Sequence, residues 1–273
     1  MSVDPSQLSG TEAMSDKAYL TTVQYPTDVN LAARQSIYAF QEPRTDLVAT
    51  VLGLAGLTGD ETVVDVGCGN GIYLAGLSRR GHRGLTIGVD LSPGMLAATR
   101  RGAPAAGLTL GDAAALPLAD HAADVTLAPH MLYHVRDPAA AAVEFRRITR
   151  PGGQLLVVLN GNDHLAELRE LMTSTAAACG FRAEAVYDSF RVMTLDDGAE
   201  LLSRVFSSVR RHDFTGELRV PEAQPVVSYV ASMRNTHVAG DPAAFVAAVT
   251  ERVPFDPDGV FRVTTHSGLL ICQ

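Results

Sequence analysis

Short apolar runs alternate with amphipathic segments from Thr62 onward. The runs are rich in Val, Leu and Ile, as strands buried on both faces are, and the intervening segments repeat their apolar positions with helical spacing. Repeated strand–helix alternation predicts a doubly wound α/β fold around a mostly parallel, seven-stranded sheet. The first five predicted strands are 62–66, 85–90, 108–112, 123–128 and 154–160.

Helical segments flank this core on both sides. Two short helices are predicted within residues 30–56, before the first core strand. Two amphipathic helices are predicted within 221–253, after a strand near 207–214 and before a closing strand or hairpin at 261–273. The flanking helices are therefore expected to form a cap over one edge of the sheet.

The second flanking segment, residues 221–253, is expected to line one side of a binding site. Val227, Tyr229 and Met233 give its first helix an apolar face, and its second helix begins at Asp241 and Pro242, far along the chain from the glycines at 67–71. The predicted parts are an N-terminal tail with cap helices (1–58), a cofactor-binding core (59–215), an inserted helical cap (216–256) and a closing strand of the core (257–273).

Composition narrows the classes of function. The 273-residue chain has 22 Lys plus Arg against 30 Asp plus Glu, and its net charge of −8 argues against binding to a phosphate backbone. Three scattered cysteines form neither a disulfide framework nor a thiolate cluster, and they fit a reducing cytoplasm. The polar N-terminal stretch is unlike a signal peptide, and no run of roughly 18 apolar residues predicts a membrane span. The expectation is a cytoplasmic protein with no nucleic-acid or membrane partner.

A glycine-rich turn follows the first core strand. Gly67, Gly69 and Gly71 stand at alternate positions, where glycine lets the backbone turn tightly and approach a ligand beside helix N-terminal amides. The dinucleotide fingerprint G-x-G-x-x-G is not met, because Ile72 occupies the place of its third glycine. Asp65 would repel a pyrophosphate but not a cationic amino-acid group. The turn therefore predicts a nucleotide-like cofactor and disfavours NAD.

Two further carboxylates follow the next two strands. Asp90 ends its strand at the position from which a carboxylate accepts both ribose hydroxyl protons in a doubly wound sheet. Asp112 follows the third strand, within reach of an adenine amino group if the base lies across the strand ends. Together with Asp65 they predict one site at the carboxyl edge of the sheet.

Five segments resemble, in order, the motifs of class I S-adenosylmethionine-dependent methyltransferases: VVDVGCGNG, GVDLS, GDAAALP, ADVTLAPHMLYHV and RPGGQLLVV. They fall within residues 62–159, just over a third of the chain, and the flanks resemble those of small-molecule members with a helical cap. The resemblance implies the Rossmann-like methyltransferase fold, S-adenosylmethionine as the cofactor and a small-molecule methyl acceptor.

The resemblance also implies which residues contact the cofactor. The first motif would contact its methionine part, the second its ribose and the third its adenine, while the fourth would line the methyl end. The expected residues are, in that order, Asp65, Gly67 and Gly69; Asp90; Asp112 and Ala113; and Ala128 to His130, with Gly71 and Leu91 beside them.

His130 and His134 follow the fourth core strand, four residues apart. The segment HMLYH lacks the Glu of the zinc motif H-E-x-x-H and follows a strand, so no metal is expected. Either histidine is a candidate catalytic base, or a side chain that lines the site and forms a hydrogen bond there. The alternative is an ordinary histidine that only packs against its neighbours. Cys68 is interpreted as a small packing residue and not as a nucleophile.

These observations predict methyl transfer from S-adenosylmethionine to an O, N or C atom of a small molecule, by in-line displacement in a desolvated pocket. One alternative is a non-catalytic S-adenosylmethionine-binding subunit on the same fold, and another, disfavoured by the glycine spacing, is a nicotinamide-dependent oxidoreductase. The sequence leaves open which molecule is methylated, whether a base is used, and whether the protein is a monomer or a homodimer.

Overall fold

A computed structural model of the chain describes residues 10–181, 192–233 and 241–273. Outside the described residues lie the start of the predicted tail, part of the predicted core before Thr194 and the middle of the predicted inserted cap, at 1–9, 182–191 and 234–240.

One mixed sheet of eight strands forms the centre of the described chain. The strands are β1 Gln41–Glu42, β2 Val63–Val66, β3 Thr86–Asp90, β4 Gly107–Leu110, β5 Ala123–Pro129, β6 Thr149–Asn160, β7 Val209–Val220 and β8 Phe261–Cys272. Their order across the sheet is β1-β7-β8-β6-β5-β2-β3-β4. The neighbours from β4 to β6 are parallel, whereas β8 runs antiparallel between β6 and β7.

The predicted doubly wound α/β fold is confirmed, with one correction to the sheet. β2 pairs with β3 on one side and with β5 on the other, so the strand order reverses at the carboxyl end of β2, directly before Gly67. Ligands of doubly wound sheets bind at this kind of switch point. The predicted count of seven strands misses β1, in which Gln41 and Glu42 pair with Leu218 and Glu217. A two-residue strand is too short to show an alternating pattern.

Helices cover both faces of the sheet and the edge that carries the strand ends. Several begin at a capping side chain followed by proline, as at Ser92, Asp137 and Asp241. No helix of the described ranges combines the length and apolar character that a bilayer crossing requires. The helices are α1 Gly10–Ala13, α2 Lys17–Tyr19, α3 Val29–Ser36, α4 Leu47–Leu54, α5 Ile72–Arg79, α6 Pro93–Gly102, α7 Pro138–Ile148, α8 Ala166–Ala178, α9 Leu195–Ser203, α10 Ala223–Ser232 and α11 Pro242–Thr250.

Three hydrophobic clusters hold these layers together. Phe145 of α7 belongs to the cluster on one face of the sheet, and Leu74 of α5 belongs to the cluster on the other. The third cluster joins α8, α10 and α11, and it contains Met172, Met233 and Phe245. The prediction that Met233 walls a binding site is therefore corrected, because its side chain packs inside the cap.

Replacing Phe145 by Ala is expected to lower the free energy of unfolding by about 3–5 kcal/mol, because the fully buried ring leaves a cavity between α7 and the sheet. Val143→Ala on the same helix is the matched control, since Val143 is 57% exposed and its loss should cost less than about 0.5 kcal/mol. Urea unfolding measures both. A loss below about 1 kcal/mol for Phe145→Ala would contradict this packing.

Candidate active site

A cavity of about 630 Å³ opens where the parallel strands end. Its walls include the strand tips Val66, Asp90, Pro129 and Asn160, and side chains of α3 and α10 close it from the cap. The volume falls in the range of roughly 300–1,000 Å³ that is usual for small-molecule sites. The cavity therefore lies at the edge where the sequence predicts a binding site.

Asp90 ties two backbone segments together at the tip of β3. Its carboxylate accepts hydrogen bonds from the amide of Gly69 at 2.8 Å and from the amide of Ser92 at 2.8 Å. Burial raises the pKa of Asp90, and the donating amides oppose that shift. Because a carboxylate has about four acceptor positions, Asp90 can accept further hydrogen bonds from a ligand in the cavity that it lines.

The glycine loop has the backbone conformation that only glycine adopts readily. Gly67 and Gly69 have φ values of 67° and 56°. The amides of Gly67 and Cys68 both donate to the carbonyl of Val89, at 2.7 Å and 3.0 Å. A Cβ atom added to Gly67 would stand 2.6 Å from Cβ of Met131, so a larger residue does not fit there without movement.

Asp112 forms an ion pair with Lys17 of α2. Its other oxygen accepts a hydrogen bond from the amide of Ala114 at 3.0 Å. Burial opposes ionisation, but the hydrogen bonds from Lys17 and from that amide hold the pKa of Asp112 below its ordinary value. Lys17 is the single lysine of the sequence. The N-terminal segment thus places a positive charge on the carboxylate that follows β4.

Three of the predicted cofactor-binding residues lie behind the cavity wall. Asp65 is fully buried, and neither of its carboxylate oxygens has a hydrogen-bond partner among the described residues. Gly71 faces α6, where an added Cβ would stand 2.7 Å from Cγ2 of Thr99. Ala128 is fully buried within β5, two residues before His130 reaches the cavity. The other predicted residues line the cavity: Gly67, Gly69, Asp90, Leu91, Asp112 and Ala113.

His134 is held on both ring nitrogens. Nδ1 lies 2.9 Å from the carbonyl oxygen of Met14, so this nitrogen carries the proton. Nε2 then accepts the hydrogen bond of the Tyr25 hydroxyl at 3.1 Å. Burial lowers the pKa of His134 to about 4. Since its lone pair is already used, His134 is placed to position the Tyr25 ring.

His130 is placed differently, with its imidazole at the cavity. Its ring forms no hydrogen bond within the described part of the chain. Its φ of 54° is unusual for a residue with a side chain, and its amide donates to the carbonyl of Val158 at 2.8 Å. Burial lowers the pKa of His130 to about 4, so the ring is neutral at neutral pH. Of the two predicted catalytic histidines, His130 is the one with a nitrogen available to a ligand.

Sequence reasoning missed a second tyrosine–histidine pair beside the cavity. The Tyr38 hydroxyl lies 2.9 Å from Nε2 of His164, and Nδ1 of His164 accepts the amide hydrogen of His266 at 3.0 Å. The imidazole proton therefore sits on Nε2 and is donated to Tyr38, which leaves the hydroxyl proton of Tyr38 for another acceptor. Arg34, one helical turn before Tyr38, also lines the cavity and was not predicted. Their spacing of four residues was the available signal.

Cys68 packs as the sequence suggests. Its thiol lies 3.6 Å from the Thr99 hydroxyl, and burial raises the pKa of Cys68 well above its ordinary value, so the reactive thiolate is disfavoured. Within 10–181, 192–233 and 241–273, no group of three or more His, Cys, Asp or Glu side chains is arranged to hold a metal ion.

Asp65→Asn is expected to stabilise the protein more at pH 8 than at pH 5. Burial, reinforced by the nearby Asp90 charge, raises the pKa of Asp65 well above its ordinary value. The folded state then binds this proton more tightly than the unfolded state, whose Asp pKa is about 3.9, so wild-type stability falls as pH rises between the two pKa values. Because Asn cannot ionise, the variant does not undergo this loss of stability as the pH rises.

Urea unfolding at both pH values measures the effect, and the gain from Asp65→Asn should grow by on the order of 1 kcal/mol or more. Asp60→Asn is the control, because the Asp60 side chain is 66% exposed. An equal effect of Asp65→Asn at the two pH values would show that Asp65 keeps the same protonation state throughout.

Comparison with known proteins identifies the domain that carries this site. A family model described as a methyltransferase domain matches residues 64–157. The malonyl-[acyl-carrier protein] O-methyltransferase of Serratia marcescens is 29% identical over 189 residues, which cover 69% of this chain and 68% of that protein. The demethylmenaquinone methyltransferase of Corynebacterium kroppenstedtii is 41% identical over 98 residues, or 36% of this chain and 41% of that protein.

A solved structure shares the fold. Phosphoethanolamine N-methyltransferase 2 of Haemonchus contortus, in complex with phosphomonomethylethanolamine and S-adenosylhomocysteine, has a TM-score of 0.56 and 17% identity, covering 95% of this chain and 60% of that one. Across the two curated relatives above and a third, the matched part spans 29% to 68% of the relative's length. The matched domain contains the glycine loop, Asp90 and Asp112. The predicted resemblance to the class I S-adenosylmethionine-dependent methyltransferases is confirmed, and residues 64–157 match a methyltransferase domain.

Proposed function

We propose that this protein transfers a methyl group from S-adenosylmethionine to a small-molecule acceptor held in the cavity. The observation that carries the proposal is the Asp90 carboxylate, which faces the cavity while it fastens the glycine loop through Gly69. The names of the two curated relatives, a malonyl-[acyl-carrier protein] O-methyltransferase and a demethylmenaquinone methyltransferase, support methylation of a small organic group. A cavity that helices close on one side can hold such an acceptor more readily than it can hold a long polymer.

The carboxylates at and behind the cavity wall fit the cofactor. In this proposal Asp90 uses its remaining acceptor positions for the two ribose hydroxyls, and Asp112, which also lines the cavity, accepts a hydrogen bond from the adenine amino group. Asp65 lies unpaired behind the glycine loop, where a cationic amino-acid group of the ligand would favour its ionised form and a pyrophosphate would not. When bound there, S-adenosylmethionine supplies an electrophilic methyl carbon attached to a sulfonium.

The residues of the chain act chiefly by placement and by excluding water. Displacement at a methyl carbon needs the nucleophile in line and a dry site, and both follow from a rigid, enclosed cavity. His130 presents a neutral imidazole to that cavity, so it would accept a hydrogen bond from an acceptor hydroxyl or amine. With a pKa of about 4 it is a weak base, and it orients the acceptor more effectively than it removes a proton.

The predicted division of the chain fits the same reaction. In this proposal residues 59–215 and 257–273 hold the cofactor, while residues 1–58 and 216–256 cover the acceptor. Tyr229 of α10 and Tyr25 of the N-terminal segment both line the cavity. This supports a cover over the acceptor that is formed by both segments together. The acidic composition and the buried thiols of Cys68 and Cys272 support a cytoplasmic location.

Titration calorimetry tests the cofactor first. S-adenosylmethionine and S-adenosylhomocysteine should both bind, and NAD should not, because the glycine spacing and Asp65 disfavour a pyrophosphate. Incubation with methyl-labelled cofactor and the small-molecule fraction of a cell extract should then move label into a low-molecular-weight product. Binding without any labelled product would support the non-catalytic subunit, and binding of NAD alone would support the oxidoreductase.

Asp90→Ala should weaken binding of S-adenosylhomocysteine by on the order of tenfold to a thousandfold, because two charge-assisted hydrogen bonds to the ribose are lost. Asp90→Asn keeps the shape and should fall between the wild type and Ala. The amides of Gly69 and Ser92 also lose their acceptor in Asp90→Ala, so a loss of about 1–3 kcal/mol in unfolding free energy is expected too.

Asp60→Ala, at an exposed site, is the control for both measurements. The assignment of Asp90 to the ribose would be wrong if folded Asp90→Ala bound the ligand within about twofold of the wild type.

A further inference from the structure

Within the described residues, Arg34 is a largely buried cation without a counterion. Nε and Nη2 of its guanidinium are shielded from solvent and have no hydrogen-bond partner in the described part of the chain. No described carboxylate pairs with it, whereas Lys17 and Arg136, which also line the cavity, pair with Asp112 and Asp16.

Tyrosines from three separate segments surround this guanidinium. Its Cζ lies 5.1 Å from the centroid of the Tyr25 ring, a cation–π distance, and Tyr133 and Tyr229 also interact with its charge. Burial alone would lower the pKa of Arg34, but the three tyrosine oxygens raise it, so the guanidinium stays charged. The tyrosines therefore keep the charge in place without neutralising it.

An unneutralised charge of this kind is costly in the folded state, since burial removes its hydration. A ligand that brings a negative charge would remove that cost. Nε and Nη2 lie along one edge of the planar guanidinium, and such an edge donates two parallel hydrogen bonds to a carboxylate that reaches it. One guanidinium balances one negative charge, so a carboxylate fits better than a doubly charged phosphate.

The place of Arg34 on α3 separates it from the glycine loop. Leu31 and Gln35 share one face of the helix and cover that loop: a Cβ on Gly69 would stand 3.2 Å from Cδ2 of Leu31, and Oε1 of Gln35 accepts from Asn70 at 2.9 Å. Arg34 is about 100° round the helix from Gln35, and its guanidinium lies against the Tyr25 ring.

Resting on the proposed function, we infer that the methyl acceptor is a carboxylic acid with an apolar or aromatic body. Its carboxylate pairs with the guanidinium of Arg34, which lines the cavity, and the rings of Tyr25, Tyr133 and Tyr229 pack against the body. Arg34 is thus a specificity-determining residue for the acceptor. The other carboxylate that reaches this cavity in the proposed reaction is that of the cofactor's amino-acid part, and the experiment must separate the two sources.

The test is titration calorimetry on full-length protein saturated with S-adenosylhomocysteine. The probes are benzoate, phenylacetate and 3-phenylpropanoate, each compared with its own amide. At least one acid should bind about tenfold or more tightly than its amide, since only the acid offers a charged bidentate partner. If no acid binds more tightly than its amide, the inference is overturned, whatever the variants do.

Variants then assign the preference to Arg34. Arg34→Met should bring the acid to the affinity of its amide while changing S-adenosylhomocysteine affinity by less than about twofold. Arg34→Lys keeps the charge without the planar edge, so it should retain part of the preference, and it serves if Arg34→Met does not fold. Arg83→Met is the matched control, because Arg83 pairs with Asp60 on the surface and should keep the full preference.

A second ligand separates the two carboxylates. 5′-Methylthioadenosine lacks the amino-acid part of the cofactor, so its affinity should be the same in the wild type and Arg34→Met under either assignment. If Arg34→Met weakens S-adenosylhomocysteine tenfold or more and leaves 5′-methylthioadenosine unchanged, Arg34 holds the cofactor's carboxylate and the inference is overturned. Failure of the wild type to bind S-adenosylhomocysteine would instead contradict the proposed function itself.

Discussion

The arrangement of the site depends on one set of hydrogen bonds, those that the Asp90 carboxylate accepts from Gly69 and Ser92. They tie the loop after β2 to the start of α6, across the point where the strand order reverses. The loop is further fixed by the two amides that share the Val89 carbonyl. A single strand tip therefore fixes the backbone on both sides of the cavity before any ligand arrives, which is the preorganisation that binding sites require.

The features that could be predicted from the sequence are those encoded within a few neighbouring residues. The buried strands, the glycine turn and the carboxylates at the strand tips each follow from a short pattern, so the fold class and the edge that carries the site were predictable. The hydrogen bonds of Asp90 to backbone amides were not, because they depend on the exact path of the loop. The same holds for β1, which exists only through its pairing with β7.

Contacts between distant segments lay beyond the sequence for a different reason. Tyr38 and His164 are 126 residues apart, and only the closure of the sheet by β8 brings them together. The tyrosines around Arg34 come from the N-terminal segment, the turn after β5 and the inserted cap, so no local pattern signals their meeting. In the described chain the carboxyl oxygens of Asp65 have no hydrogen-bond partner and Arg34 has no counterion, and such unbalanced groups are typical of sites where stability is sacrificed for ligand binding.

The shortness of β1 has a consequence for how the protein behaves in crowded solution. β1 covers only Leu218 and Glu217 of the twelve-residue β7, and no other described strand pairs with the outer side of Val209–Gly216. An open strand edge of this length is a template for pairing with a second chain. Here it carries Arg210, Arg211 and Asp213, and Arg211 is bound to carboxylates on both sides. Charged side chains on an open edge disfavour pairing with a second strand, so these residues help to protect the sheet from edge-to-edge aggregation.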